Sequence, residues 1–376
     1  MTKIKFGILG CAEIAMKNAA AIVDSPECEL VGIASRDEMK AQMFRADCGL
    51  SEDVITYTYD DIIHEEWVDA LYIPLPTALK VEWVVKACQA GKHCLIEKPA
   101  ASDITQLEIM LAAAKANNVL LMDGVMFVHS LRNEKLREML NPMRFGMVER
   151  VQSSFSFRGN EDFFRSNIRA SSMGDPLGCL GDLGWYCLRV ILQAYRCNET
   201  SGDTSQPVAV RATCHEWVGD GEVPVDMSVS IAFDTQWKRR AEFSCSFTNS
   251  FHQDYLISAR GNRRNVCDHL IRCDDLCIPR DPATPSFQFE TLGGAFEDLA
   301  TRVMSRVETY TSPPCKQEVD MFTFFATAIT ELRIAGTLTH TEEKYERLVA
   351  DMVLSQRLCD AIMESAKGGG IEINLR

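Results

Sequence analysis

Between residues 3 and 125, short apolar runs alternate with segments of helical period, and that alternation leaves few folds open. The runs "KIKFGILG", "CELVGIAS", "VITY", "VDALYIPLP", "HCLI" and "VLLMDGV" read as strands. Helical patterns over 12–23, 37–47, 59–64, 78–90 and 103–116 separate them, the fourth ended by Gly91 and Lys92. Strands this uniformly apolar need cover on both faces, and a strand–helix–strand crossover within one sheet is right-handed. The expected fold is therefore α/β, a doubly wound parallel sheet, whose ligands bind beyond the C-terminal ends of its strands.

After Phe127 the pattern changes. A helix over 131–140 leads into "MVERVQSSFSF", and "PVAVRATCHEW", "VDMSVSIAFD", "RRAEFSCSFT" and "DYLISARG" alternate apolar with polar residues. That is the pattern of an antiparallel sheet covered on one face. The polar stretch "CNETSGDTSQP" is expected to be a surface loop, and helices return over 318–335 and 342–367. A chain of 376 residues exceeds one ordinary domain. The reading is a cofactor-binding domain, 1–127, and an α+β domain, 128–376, built on a large, mostly antiparallel open sheet.

The formal net charge of -14 argues against nucleic acid and anionic membrane surfaces as partners and leaves a small molecule. No run of 18 apolar residues is present, so the expected setting is soluble and cytoplasmic. Fifteen cysteines, an odd number and many inside apolar runs, are read as reduced thiols. Cys267, Cys273 and Cys277 lack a C-x-x-C pair, and a zinc site there is the minor alternative.

Chemistry collects at the strand ends. The turn after the first strand holds Gly10, Cys11, Ala12, Ile14 and Ala15. A dinucleotide site needs a glycine for the turn, a small residue where backbone meets pyrophosphate, and another where helix packs on strand. Gly10, Ala12 and Ala15 fill those places, although a tight turn without a ligand uses the same residues. After the second strand "ASRDE" offers Ser35 and Arg36 before Asp37. A hydroxyl and a cation suit a 2'-phosphate, so NADP is expected in preference to NAD. Arg36 as a solvated helix-start residue paired with Glu38 is the other reading. Pro74 and Leu75 end the fourth strand, and Glu97 and Lys98 end the fifth, followed by Pro99.

Farther along, "DPLGCLGDLGWYCLRVIL" places Asp182 and Tyr186 four residues apart, on one face if a helix begins near Gly181. A tyrosine serves as general acid when a lysine cation favours its phenolate, and Asp182 can orient the ring or a substrate hydroxyl. An Asp in a helix's first turn beside a half-buried Tyr needs no function.

Taken together, "GILGCAEIA", "LYIPLPTALKVEWVVKACQAGKHCLIEKPAA" and "GDLGWY" resemble the Gfo/Idh/MocA oxidoreductase family. The likeness is greatest to its dimeric dihydrodiol dehydrogenase and NADP-dependent xylose dehydrogenase branch. "MDGVMFVHSLR" and "VQSSFSFRGNEDF" extend it to plant-type relatives. The resemblance implies a Rossmann domain, a role for Lys98 beside nicotinamide and substrate, and places for Asp182 and Tyr186 on the active-site helix. Phe127, His129 and Phe157 are candidate substrate-pocket residues, with core packing the other reading of the two Phe; no metal is expected, because lysine and tyrosine can polarise the carbonyl, and the resemblance implies a homodimer formed through the open sheet face. A cis bond before Pro99 is an additional expectation. Three departures stand out: Thr77 and Lys80 replace an asparagine and a histidine common in relatives, alanines replace turn glycines, and "ARGNRRNVCDH" lacks a second hairpin glycine. The expected reaction is NADP-dependent hydride transfer at a secondary alcohol or carbonyl of a sugar, polyol or cyclic diol. A silent NADP-binding regulator, and a sugar isomerase or glycosidase that does not consume its nicotinamide, are the competing readings.

Overall fold

The structure is a computed structural model, and the residues described are 2–199, 206–219, 221–260, 268–277, 285–292, 304–313 and 316–375. Most of the expected loop "CNETSGDTSQP", much of "ARGNRRNVCDH", and Cys267 with its share of the cysteine cluster lie outside the described residues. The chain forms two compact units. One comprises Met1–His129, Met173–Asp175 and Lys316–Arg357; the other comprises Ser130–Ser172, Pro176–Cys315 and Leu358–Arg376.

The first unit carries a six-stranded parallel sheet: β1 (Ile4–Leu9), β2 (Cys28–Ala34), β3 (Ile55–Tyr57), β4 (Ala70–Ile73), β5 (His93–Ile96) and β6 (Leu121–Asp123). Its order is β3-β2-β1-β4-β5-β6, so the direction of winding reverses between β1 and β4. That reversal opens the crevice in which doubly wound sheets bind ligands. The helices α1 (Glu13–Asp24), α2 (Glu38–Asp47), α3 (Tyr59–His64), α4 (Thr77–Gln89) and α5 (Ile104–Ala116) alternate with the strands. Side chains set several starts: Asp37 accepts from the Met39 and Lys40 amides, and Asp103 from the Gln106 amide at 2.9 Å.

The compact units differ from the expected division at 127/128: 128–129, 173–175 and 316–357 lie in the first unit. For 316–357 the reason is aromatic packing. Helix Gln317–Ala335 sets Phe322 edge-on against Phe6, centroids 5.5 Å apart, and against Tyr72 at 5.6 Å. The Tyr345 hydroxyl meets the backbone of β6, 3.0 Å from the Leu121 amide nitrogen and 3.1 Å from its carbonyl oxygen. Period alone reveals both helices and not the sheet they cover.

His93, the first residue of β5, is buried and its Nδ1 accepts the Leu120 amide at 3.0 Å. Burial, reinforced by Arg333 and opposed by Asp69, pushes the imidazole down to about 4. Below its ordinary pKa the unfolded chain gains a proton that the fold refuses, so stability falls as pH drops from about 6.5 towards 4. The loss is of the order of 3 kcal/mol. Urea unfolding at pH 7 and pH 4.5 should show a shallower acid loss in His93→Gln than in the wild type. Equal losses would remove His93 as the cause.

The second unit carries a nine-stranded sheet: β7 (Met147–Ser156), β8 (Ala209–Val218), β9 (Val223–Ala232), β10 (Arg240–Ser246), β11 (His252–Arg260), β12 (Asp268–Cys273), β13 (Ser286–Leu292), β14 (Met304–Thr311) and β15 (Ile373–Asn374). Its order is β14-β13-β12-β11-β7-β10-β9-β8-β15, antiparallel except where β7 and β10 run parallel. Helices α6 (Leu131–Met139), α7 (Pro142–Phe145), α8 (Glu161–Ser166) and α9 (Trp185–Arg196) belong to this unit, and α9 is buried nearly throughout. Tyr195 of α9 stacks on Phe233 and donates its hydroxyl to the Arg240 carbonyl at 2.6 Å. At Gly178, φ is +50° and a Cβ would run into the Pro224 carbonyl oxygen, so only glycine lets the chain enter this helical segment so close to β9.

Candidate active site

Gly10 ends β1 with φ +122°, its amide donating to the Ala34 carbonyl at 3.0 Å. A Cβ there would stand 2.9 Å from Leu75 Cδ2, so the turn is closed by contact between the ends of β1 and β4. Ala12 caps α1 with extended backbone and no side-chain hydrogen bond, which leaves the first-turn amides without a side-chain acceptor. Amides at a helix N-terminus attract anions. Burial pushes the Cys11 thiol up to about 11, so it is present as the neutral thiol.

At the end of β2, Ser35 is buried and its Oγ accepts the Asp37 amide at 3.2 Å. Asp37 Oδ1 accepts two backbone amides of α2, Met39 at 2.9 Å and Lys40 at 3.3 Å. Asp37 thereby caps α2. Arg36 is exposed, and its guanidinium acts on Tyr59, whose phenol is raised chiefly by burial and drawn back by that cation.

The tip of β5 is the most constructed part of the unit. The Tyr72 hydroxyl donates to Glu97 Oε1 at 2.5 Å, and Asn18 Nδ2 donates to Tyr72 Oη at 2.5 Å and to Glu97 Oε1 at 3.2 Å. Lys80, 1% exposed, donates from Nζ to the Glu97 carbonyl at 2.6 Å and to the Pro99 carbonyl at 2.5 Å. Lys98 stands half-buried between those carbonyls, and the Lys98–Pro99 peptide is cis. Burial draws the Lys80 ammonium down to about 8, against the upward pull of Asp175, Glu97 and Asp123 and with help from Lys98. Phe127 and His129 lie in the short turn Met126–His129, both buried, the imidazole 5.2 Å from the Phe324 ring.

In the second unit the helix carrying the other candidates opens with a π turn, Leu180–Gly184, before α9. Single π turns inside helices occur often at functional sites. Asp182 is buried, with Arg169 Nε 3.5 Å from its Oδ1. Tyr186 is 7% exposed and packs its ring 5.6 Å from Phe155. Phe157 belongs to an aromatic group, 5.4 Å from Phe163 and 5.1 Å from Phe247. Lys98 thus sits in the first unit, and Asp182, Tyr186 and Phe157 in the second.

Sequence reasoning overlooked Asn18, Tyr72 and Arg169, and noticed Lys80 only as a departure. Tyr72 did carry a signal: a hydroxyl inside the buried run "ALYI" must find a partner. Asn18, between Ala15, Ala19 and Ile22 on the buried face of α1, carried the same one.

The family description "Oxidoreductase family, NAD-binding Rossmann fold" matches residues 4–125. The dTDP-3,4-didehydro-2,6-dideoxy-alpha-D-glucose 3-reductase of Actinomadura kijaniata is 34% identical over 188 residues, 50% of this chain and 54% of its own. A D-xylose 1-dehydrogenase (NADP(+)) of Haloferax volcanii is 33% identical over 41% of this chain and 46% of its own. The chain thus spans about half the length of these curated relatives. In fold it is similar to KijD10, a 3-ketoreductase from Actinomadura kijaniata solved with NADP and TDP-benzene. The TM-score is 0.77, with 23% identity over 97% of this chain and 98% of that one. The parallel sheet wound about its β1/β4 switch point is the matched region, and in it the chain is similar to the NAD-binding Rossmann domain of the Gfo/Idh/MocA oxidoreductase family.

Proposed function

We propose that the chain is an NADP-dependent oxidoreductase that interconverts a secondary alcohol and its carbonyl on a sugar, polyol or cyclic diol. The observation that carries this is the tip of β5, where a fully buried lysine and a pinned glutamate serve to present Lys98. Gly10, Cys11, Ala12, Ile14, Pro74 and Leu75 would hold the pyrophosphate, Ser35 and Arg36 the 2'-phosphate, and Glu97 and Lys98 the nicotinamide end. The capping role of Asp37 supports NADP over NAD, because a carboxylate with one oxygen taken by two amides is a weaker partner for a ribose diol, which uses both oxygens. NADP, when bound, supplies the hydride acceptor, or the donor in its reduced form.

The chain's own residues handle the proton and the oxygen. In the oxidative direction Tyr186 takes the hydroxyl proton of the substrate, and in the reductive direction it returns one to the carbonyl oxygen. Lys98 holds that oxygen and favours the phenolate of Tyr186 by its charge. Asp182, itself engaged by Arg169, orients the tyrosine or a neighbouring hydroxyl. Phe127, His129 and Phe157 are the candidates for the apolar wall of the substrate pocket.

A homodimer through the open face of the large sheet completes the reading. That face displays Gln152, Ser154, Ser228, Ser230 and Ser244, with Arg150 paired to Glu242. Polar surface of this kind suits a hydrogen-bonded isologous contact. A cytoplasmic setting is proposed with it: the described cysteines are free thiols. No helix among the described residues is long and apolar enough to cross a membrane. Calorimetric titration tests the cofactor assignment. NADP should bind at least about tenfold more tightly than NAD, the factor given by some 1.4 kcal/mol of differential contact. Equal affinities, or binding of neither, would sink it.

A further inference from the structure

Resting on the reading just given, we infer that Lys80 is the positioning residue of Lys98, clamping the backbone on both sides of it through the Glu97 and Pro99 carbonyls. Nothing in the sequence signals this role, because a lysine in the first turns of α4 reads as a solvated surface residue. Its burial reverses that reading. An ammonium withdrawn from water costs stability unless charges and hydrogen bonds compensate, and an apolar residue would be the cheaper filler. Here the compensation is specific. The two acceptors are the carbonyls of the residues just before and just after Lys98, and the carboxylates of Asp175, Glu97 and Asp123 surround the charge.

The side chain of Glu97 is fixed independently by Tyr72 and Asn18, its amide donates to the Ile73 carbonyl and the Ala101 amide to Gln356 Oε1, and Lys80 adds the two carbonyl contacts that immediately flank Lys98. The direction in which Lys98 leaves the strand tip is therefore set by Lys80. Lys80 acts through Lys98 and needs no contact with substrate. A displacement of about 1 Å at a reacting group can cost about a hundredfold in rate, which gives the clamp its kinetic value.

The test has two parts. Hydrogen exchange followed by mass spectrometry on the peptide spanning 97–101 reads the clamp without reference to turnover. Lys80→Met should speed exchange there by about tenfold or more, since local opening governs it, while peptides of the second unit keep their rates. Unchanged exchange at 97–101 would overturn the inference. The second part is a double-mutant cycle on kcat with Lys98→Met. Lys80→Met alone should lower kcat by about a hundredfold with KM for the sugar altered far less. Added to Lys98→Met it should lower kcat little further, because the two act as one unit. Losses that multiply would show that Lys80 acts independently of Lys98 and would overturn the positioning role. Should Lys80→Met fail to fold, Lys80→Arg, which keeps the charge and two donors, carries both measurements and should fall between wild type and the full loss. A wild type inactive on every substrate would count against the activity reading alone, since the exchange result stands without it.

Discussion

Lys98→Met should lower kcat by about a thousandfold, the range seen when a single donor to a developing oxyanion is removed. Affinity for NADP should change little. Methionine matches the lysine stem in length and lacks only the charged donor, so the strand tip keeps its packing. The clamp from Lys80 is to the backbone carbonyls of Glu97 and Pro99 and does not depend on the side chain at 98. Glu97 likewise keeps its bonds to Tyr72 and Asn18. A loss of kcat with NADP affinity and melting temperature preserved assigns the lysine to the reacting oxygen. Weakened NADP binding with kcat intact would assign it to the cofactor alone, and the mechanism proposed for it would fail.

Tyr186→Phe comes second in size, with kcat lower by about a hundred- to a thousandfold, the usual worth of a positioned acid or base. The substitution removes one oxygen from a buried ring that lies 5.6 Å from the ring of Phe155. Phenylalanine keeps that ring contact, so the melting temperature should move by only a few degrees. Kinetics and stability therefore separate cleanly here. If the variant retains more than about a tenth of wild-type kcat, Tyr186 is not the proton carrier, since that loss is below the smallest expected of a positioned acid or base. The role would then pass to another group near Asp182.

The parallel sheet was legible because its strands are short, mainly apolar runs set between segments of helical period. The helix expected over 59–64 has those bounds in the structure, with Thr58 as its cap. The order of the strands was not written in the runs, yet the reversal between β1 and β4 is what gives Gly10 and Leu75 their contact. In the second unit alternation revealed β7 to β11 and missed β12 to β14. The reason shows most clearly in the edge strand β14, "MSRVETYT", whose Arg306, Val307, Thr309 and Thr311 are exposed, so that the apolar signal thins. Alternation was equally silent on the parallel pairing of β7 with β10, since both hands of pairing use the same period.

At the candidate site the sequence exposed residues by type and hid those that work by burial. Gly10, Lys98, Asp182 and Tyr186 announced themselves through chemistry and spacing. Lys80 was visible only as a residue unlike its counterpart in relatives. Its meaning comes from two backbone carbonyls, which no pattern of side chains can reveal. Arg169 is similar: its ion pair with Asp182 joins a stretch without motif to the π turn.

The most direct test of the account is absorbance at the reduced-nicotinamide band for wild-type protein with NADP and a panel of aldoses, polyols and cyclic diols. Reduction of NADP that depends on a panel member and follows its concentration is the predicted result. Tight binding of NADP with no reduction by any member would contradict the account and leave the chain a cofactor-binding protein without turnover.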